Sequence, residues 1–132
     1  MSNSIINPLH WPHPRGYSNG LLTEDGLLFV AGQIGWNAKQ EIESDDLVVQ
    51  IKHALQNVLA VVESAGGKAS DIVRLTWYLI DKNSYIEQQR VIGEVYREVF
   101  GKHFPAMSVL IVQELVEDAA LVEIEATAHI KK

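Results

Sequence analysis

The chain has 132 residues, 47% hydrophobic and 21% charged, enough for one globular domain with a core of its own. It contains no cysteine, which excludes disulfides, thiolate nucleophiles and cysteine-bound zinc. A formal net charge of −6 without a basic cluster argues against a nucleic-acid partner, because such a surface repels phosphate.

Residues 1–16 carry Pro8, Pro12 and Pro14 and are expected to form an irregular, extended N-terminal arm of a single domain spanning 1–132. The first residues lack a basic segment leading into an apolar run. No stretch approaches the ~20 apolar residues of a membrane span, so the expected location is the cytoplasm, with no membrane partner. His10 and His13 have a His-x-x-His spacing, but no third ligand accompanies them, and no metal site is expected.

Leu21-Leu22, then Glu24-Asp25-Gly26, then Leu27 to Ala31 predict a hairpin, with the glycine supplying positive φ. Gly32-Gln33-Ile34-Gly35-Trp36 reads as a loop after the second strand. Leu47, Val48, Ile51, Ala54, Leu55, Val58, Leu59 and Val62 then fall on one helical face, with Ser44 as N-cap and Gly66-Gly67 as terminator. His53 lies on the polar side of this helix and is expected to be exposed.

Val73, Leu75, Trp77 and Leu79 alternate with Arg74, Thr76, Tyr78 and Ile80, the period of a strand. A second helix is expected from Ser84, with Glu87 completing a capping box, to Gly101. Gly93 within it costs ~1 kcal/mol against alanine. Met107 to Val112 and Leu121 to Ile130 complete the strands; the latter sends Val122, Ile124, Ala126 and Ala128 one way and Glu123, Glu125, Thr127 and His129 the other.

The resulting order is ββαβαββ, an α+β sandwich with two helices on one face of a mixed sheet. Two helices cover only that face. The other carries Arg74, Thr76, Tyr78, Glu123, Glu125 and Thr127, too mixed for a core and too bulky for idle surface, so a homo-oligomer is expected.

Several local sequences, in order along nearly the whole chain, resemble the RidA/YjgF family. They are Gly16-Tyr17-Ser18, Val30-Ala31-Gly32-Gln33-Ile34, Gln50 with Ala54-Leu55-Gln56-Asn57-Val58, Ala65-Gly66-Gly67, Asp71-Ile72-Val73, Phe104-Pro105-Ala106-Met107-Ser108 and Val122-Glu123-Ile124-Glu125-Ala126. The resemblance implies a chorismate-mutase-like fold, a homotrimer with small-molecule clefts between subunits, and hydrolysis of 2-enamines or 2-imines to 2-keto acids and ammonia without metal or organic cofactor.

Carried over residue by residue, the resemblance makes Glu123 the site carboxylate, with Glu125 as the alternative. It places Tyr17, Ser18, Gly32, Gly35 and Trp36 around the substrate. The position of the family arginine, directly after Pro105-Ala106, holds Met107. Methionine has no charge and no fork of N–H donors, so it cannot grip a carboxylate as arginine does. Arg74 or Arg15 is the expected stand-in, although a salt bridge to one of the glutamates is the favoured explanation of Arg74. Tyr17 and Trp36 suit either packing at a subunit boundary or ligand contact. His103, in the loop before Pro105, could approach the cleft.

Trp36 and the Gly16–Gly20 sequence resemble the aminomuconate-deaminase-like branch of the family. Three functions follow: a small enamine or imine deaminase, a non-catalytic trimer binding a metabolite in the same cleft, and an endoribonuclease, which the acidic charge disfavours.

Overall fold

A turn closed by Gly26, at φ +97, opens the sheet. It joins strands β2 (Gly20–Leu22) and β3 (Leu27–Ile34) as an antiparallel hairpin. Thr23 tightens the turn: its hydroxyl donates to Asp25 Oδ1 at 2.6 Å and accepts from the Leu27 N–H at 3.0 Å. The computed structural model describes residues 2–131.

Further strands are β1 (Ser4–Ile6), β4 (Ile72–Leu79), β5 (Ala106–Ile111) and β6 (Val122–His129). They form one six-stranded sheet in the order β1-β2-β3-β6-β4-β5, antiparallel except where β5 runs parallel to β4. Helices α1 (Leu47–Ser64), α2 (Lys82–Glu87) and α3 (Gln89–Phe100) complete the elements. This is the α+β, chorismate-mutase-like arrangement expected from the sequence.

The apolar face of α1 explains its position. Leu47, Ile51, Ala54, Leu55, Val58, Val61 and Val62 are all buried and pack against Leu28, Val30, Ile124, Ala126 and Ala128 of the sheet. Ile92, Tyr96 and Phe100 of α3 extend that core over Leu75, Trp77 and Leu79. The alternation of β6 follows the sequence: Val122, Ile124, Ala126 and Ala128 face the helices, and Glu123, Glu125 and Thr127 lie half-buried on the open face.

Several expectations need correction. The N-terminal arm is not wholly irregular, because Ser4–Ile6 pairs with Gly20–Leu22 as an edge strand. The segment expected as a loop from Gly32 continues β3 to Ile34, through a register shift between Val30 and Gln33 that turns both Gln33 and Ile34 inward. A second shift between Ile72 and Arg74 buries Ile72 and leaves Val73 48% exposed, contrary to the expectation that Val73 shares the side of Leu75, Trp77 and Leu79.

The helix starts also differ. Asp46 rather than Ser44 caps α1, accepting from the Val49 N–H at 3.0 Å, while Ser44 Oγ accepts from the Asp46 N–H. An Asp cap of this kind contributes ~1 kcal/mol. Asp81 rather than Ser84 caps the second helical region, which breaks at Gln88 into α2 and α3.

Gln50 ties two loops to α1. Fully buried, its amide nitrogen donates to Ser44 O at 2.8 Å and Ala119 O at 2.9 Å, and its oxygen accepts from the Leu121 N–H at 2.8 Å. Those bonds fix the segment entering α1 and the segment entering β6. His53, one turn on, is half-buried rather than exposed, and its Nδ1 is buried with no partner among the described residues. No helix among the described residues is long and apolar enough to cross a membrane.

Candidate functional site on the open sheet face

Glu123 and Glu125 are two residues apart on β6, so both project from the open face. Antiparallel pairing sets Tyr78 of β4 opposite Glu123 and Thr76 opposite Glu125. The Tyr78 hydroxyl reaches diagonally and donates to Glu125 Oε1 at 2.6 Å. That bond, with burial and the two carboxylates, raises the Tyr78 pKa above its ordinary value.

Glu123 has no such donor among the described residues. Burial, and secondarily the charge of Glu125, push its pKa above the ordinary glutamate value. A carboxyl moved toward neutrality can take a proton from water and return it to a leaving group. The site therefore holds a carboxylate anchored by a tyrosine beside one available for proton transfer.

Gly32 explains why Glu123 fits there. A Cβ at Gly32 would land on the Glu123 carboxylate, so the glycine is what lets that side chain lie against β3 in this position. Gly35 serves another purpose: a Cβ there would meet the backbone of Gln50 at 2.6 Å, so it permits α1 to press against the end of β3. Trp36 is half-buried, and Asn57 Nδ2 donates both to its carbonyl at 2.9 Å and to Ile34 O at 3.0 Å.

The remaining candidates are dispersed. Arg74 lines a cavity of about 170 Å³ on the open face with Phe29, Thr76, Glu125 and Thr127. It makes no ion pair among the described residues, so the expected salt bridge to a glutamate is not formed in the protomer. Tyr17, 47% exposed, and Arg15 line a separate surface hollow with Pro12, His13, Pro14 and Gln40. Ser18 is half-buried beside Tyr17. Among the described residues no group of three or more His, Asp or Glu side chains could hold a metal ion.

Met107 is not on the Glu123 face. Its partner in β4 is Leu75, which puts it on the helix side, where it lines a cavity with Trp77, Tyr85, Ile92, Tyr96 and Phe104. His103 also serves the fold: its Nε2 lies 2.7 Å from Ile72 O, and its carbonyl accepts from the Tyr96 hydroxyl. Sequence reasoning placed Tyr78 on the open face but missed its bond to Glu125, which depends on strand register.

Comparison with known proteins agrees with this layout. Residues 11–130 match the family described as "Endoribonuclease L-PSP", the RidA/YjgF family. The chain belongs to that family. A RutC family protein of Pyrococcus horikoshii is 36% identical over 119 residues, covering 89% of this chain and 90% of the relative. A protein of Dermatophagoides farinae named 2-iminobutanoate/2-iminopropanoate deaminase is 32% identical over 128 residues, 96% of this chain and 95% of its own. The crystal structure of E. coli TdcF with bound serine superposes with a TM-score of 0.81 at 31% identity, over 97% of this chain and 99% of that one. This RidA/YjgF chain thus matches these relatives over most of their length.

Proposed function

We propose that the protein hydrolyses a small enamine or imine at clefts between the subunits of a homotrimer, with Glu123 as the catalytic carboxylate. The observation that carries the reading is Glu123 itself, half-buried, with a raised pKa, held against Gly32 on a sheet face that the helices leave uncovered. The deaminase relative at 32% identity supports the reaction class.

The steps balance without a cofactor. An enamine first takes a proton at carbon to become the iminium ion. Water adds to the C=N carbon as Glu123 accepts one of its protons, which gives the neutral carbinolamine. The carboxylic acid then returns that proton to nitrogen, and the C–N bond breaks as the hydroxyl becomes C=O and gives a proton back to solvent, replacing the one the enamine took up; ammonia leaves a ketone or 2-keto acid. Closure of the cleft by a neighbouring subunit would exclude other nucleophiles.

Exposed apolar surface supports assembly. All six residues of β5 are exposed, including Met107, Val109, Leu110 and Ile111, and Phe29 is 47% exposed on the open face. An apolar edge strand left bare is prone to uncontrolled pairing, so a partner copy is its natural cover. The open face and β5 are the surfaces we assign to the trimer.

A second reading has its own observation. Met107 stands where the family arginine is expected and faces away from Glu123 within the protomer, which favours a trimer that binds a metabolite without turning it over. RNA cleavage is disfavoured by the net charge of −6. Ammonia release from freshly generated 2-aminoacrylate, larger 2-imino acids and 2-aminomuconate tests the choice, with wild type and Met107→Arg side by side. Turnover by wild type supports the deaminase. Turnover by Met107→Arg alone supports the binding protein.

A further inference from the structure

We propose that Gln33 and Asn19 are positioning residues for Glu123: their buried side-chain amides lock a bulge of β3 in the shape that lays Gly32 against the Glu123 carboxyl. The inference rests on the reading of Glu123 as the reacting carboxylate. Among the described residues Asn19, Gln33 and Gln50 are the buried polar side chains, and Gln50 serves the loops around α1. Asn19 is 4% exposed and Gln33 2%, so both act through the backbone rather than on a substrate.

The pairing register shows the bulge. Val30 pairs with Ala126 and Gln33 with Ile124, so Ala31 and Gly32 together stand opposite the single residue Glu125. An extra residue of this kind bends the strand and takes backbone groups out of the ladder. Pairing resumes with Gln33 and continues with Ile34 opposite Glu123. Glu123 therefore sits just beyond the bulge, and the path of Gly32 decides how closely β3 approaches its carboxyl.

Side-chain amides replace what the ladder gives up. The Ala31 N–H donates to Asn19 O at 2.8 Å, and Ala31 O accepts from Gln33 Nε2 at 3.1 Å. Gln33 Nε2 also donates to Asn19 Oδ1, at 3.3 Å. Asn19 is fixed in turn by Asn7, whose Oδ1 accepts from the Asn19 N–H at 3.1 Å and from Asn19 Nδ2 at 2.9 Å. Asn7 directly follows β1, so one chain of amides runs from the edge strand to the bulge. Buried amides are costly unless bonded, and bonded in this way they specify one backbone path.

Loss of the Gln33 amide strips Ala31 O and Asn19 Oδ1 of their donor, so the bulge relaxes, Gly32 draws away and water reaches Glu123 from the β3 side. Burial is the largest cause that lifts the Glu123 pKa, with the charge of Glu125 second. The proton affinity of Glu123 therefore reports the shape of the bulge. Tyr78 and Glu125, the titratable groups beside it, stand on β4 and β6 and are bonded to each other.

The test titrates the full-length protein, carrying isotope-labelled glutamate, by carboxyl NMR, with Glu123→Gln identifying the resonance. Gln33→Met removes the amide and keeps the volume. Asn7→Ala loosens the network from its partly buried end and decides the matter where Gln33→Met does not fold. In both, the Glu123 pKa should fall toward the ordinary glutamate value. Phe100→Leu, a core change in α3, should lower the melting temperature and leave that pKa where it is. The kcat for ammonia release from 2-aminoacrylate should fall about tenfold in Gln33→Met with KM little changed. A Glu123 carboxyl that titrates as in wild type in folded Gln33→Met, or in Asn7→Ala where that variant decides, overturns the inference. So does an equal fall in Phe100→Leu. The titration needs no substrate, so a wild type without turnover sinks the proposed reaction alone, and the titration still decides the placement.

Discussion

Tyr78 donates to Glu125 and not to Glu123, although Glu123 is its direct partner across the strands. The diagonal bond separates two carboxylates that occupy equivalent places on one strand. Replacing its charged acceptor with a neutral one in Glu125→Gln should lower the Tyr78 pKa toward the ordinary tyrosine value, since the hydrogen bond to that carboxylate is the largest cause of the rise. Ultraviolet titration of the phenol, with Tyr78→Phe to identify its contribution, measures the change.

Glu123 should trade stability for function. Its folded-state pKa lies above the unfolded value, so the folded protein binds the extra proton in the interval between them. Stability contributed by the protonated form is complete below the ordinary glutamate value and is lost as pH rises through the folded pKa. Glu123→Gln should therefore melt at a higher temperature than wild type at neutral pH. The difference should shrink as pH falls below the ordinary glutamate value. Thermal denaturation across that range checks both halves.

Gly32 and Gly35 should fail differently. Alanine at Gly32 meets a side-chain carboxylate that can swing away, so the expected loss is mainly of activity, on the order of tenfold or more, by displacement of a catalytic group. Alanine at Gly35 meets the backbone of α1, which cannot give, and should cost about 1–3 kcal/mol. Urea denaturation and ammonia release, run on both variants, separate the two.

The site was legible in sequence where one periodicity governs it. Glu123 and Glu125 fall on the open face because the intervening Ile124 and Ala126 are core residues on an uninterrupted strand. The same logic failed at Val73, where the strand shifts register and an alternating pattern gives no warning, and another shift carries β3 on through Gln33, whose glycine-flanked sequence suggests a loop. Met107 shares the alternation of β5, but every residue of that strand is exposed in the protomer, so its inward side depends on which face of β4 it joins.

Gln50→Leu should destabilise the fold by about 2–4 kcal/mol, because it removes all three bonds that the buried amide makes to the partly buried Ser44 O, Ala119 O and Leu121 N–H. Gly93→Ala should act in the opposite direction, gaining up to ~1 kcal/mol of helix stability once the flexible end of Arg97 moves aside. Equilibrium denaturation of each gives the sign directly.

The most direct test of the account is the rate of ammonia release from 2-aminoacrylate at neutral pH by wild type, Glu123→Gln and Glu125→Gln, each confirmed as folded by circular dichroism. The account predicts turnover by wild type, a loss on the order of 100-fold or more in Glu123→Gln, and a smaller loss in Glu125→Gln. Wild-type turnover retained by Glu123→Gln would contradict it.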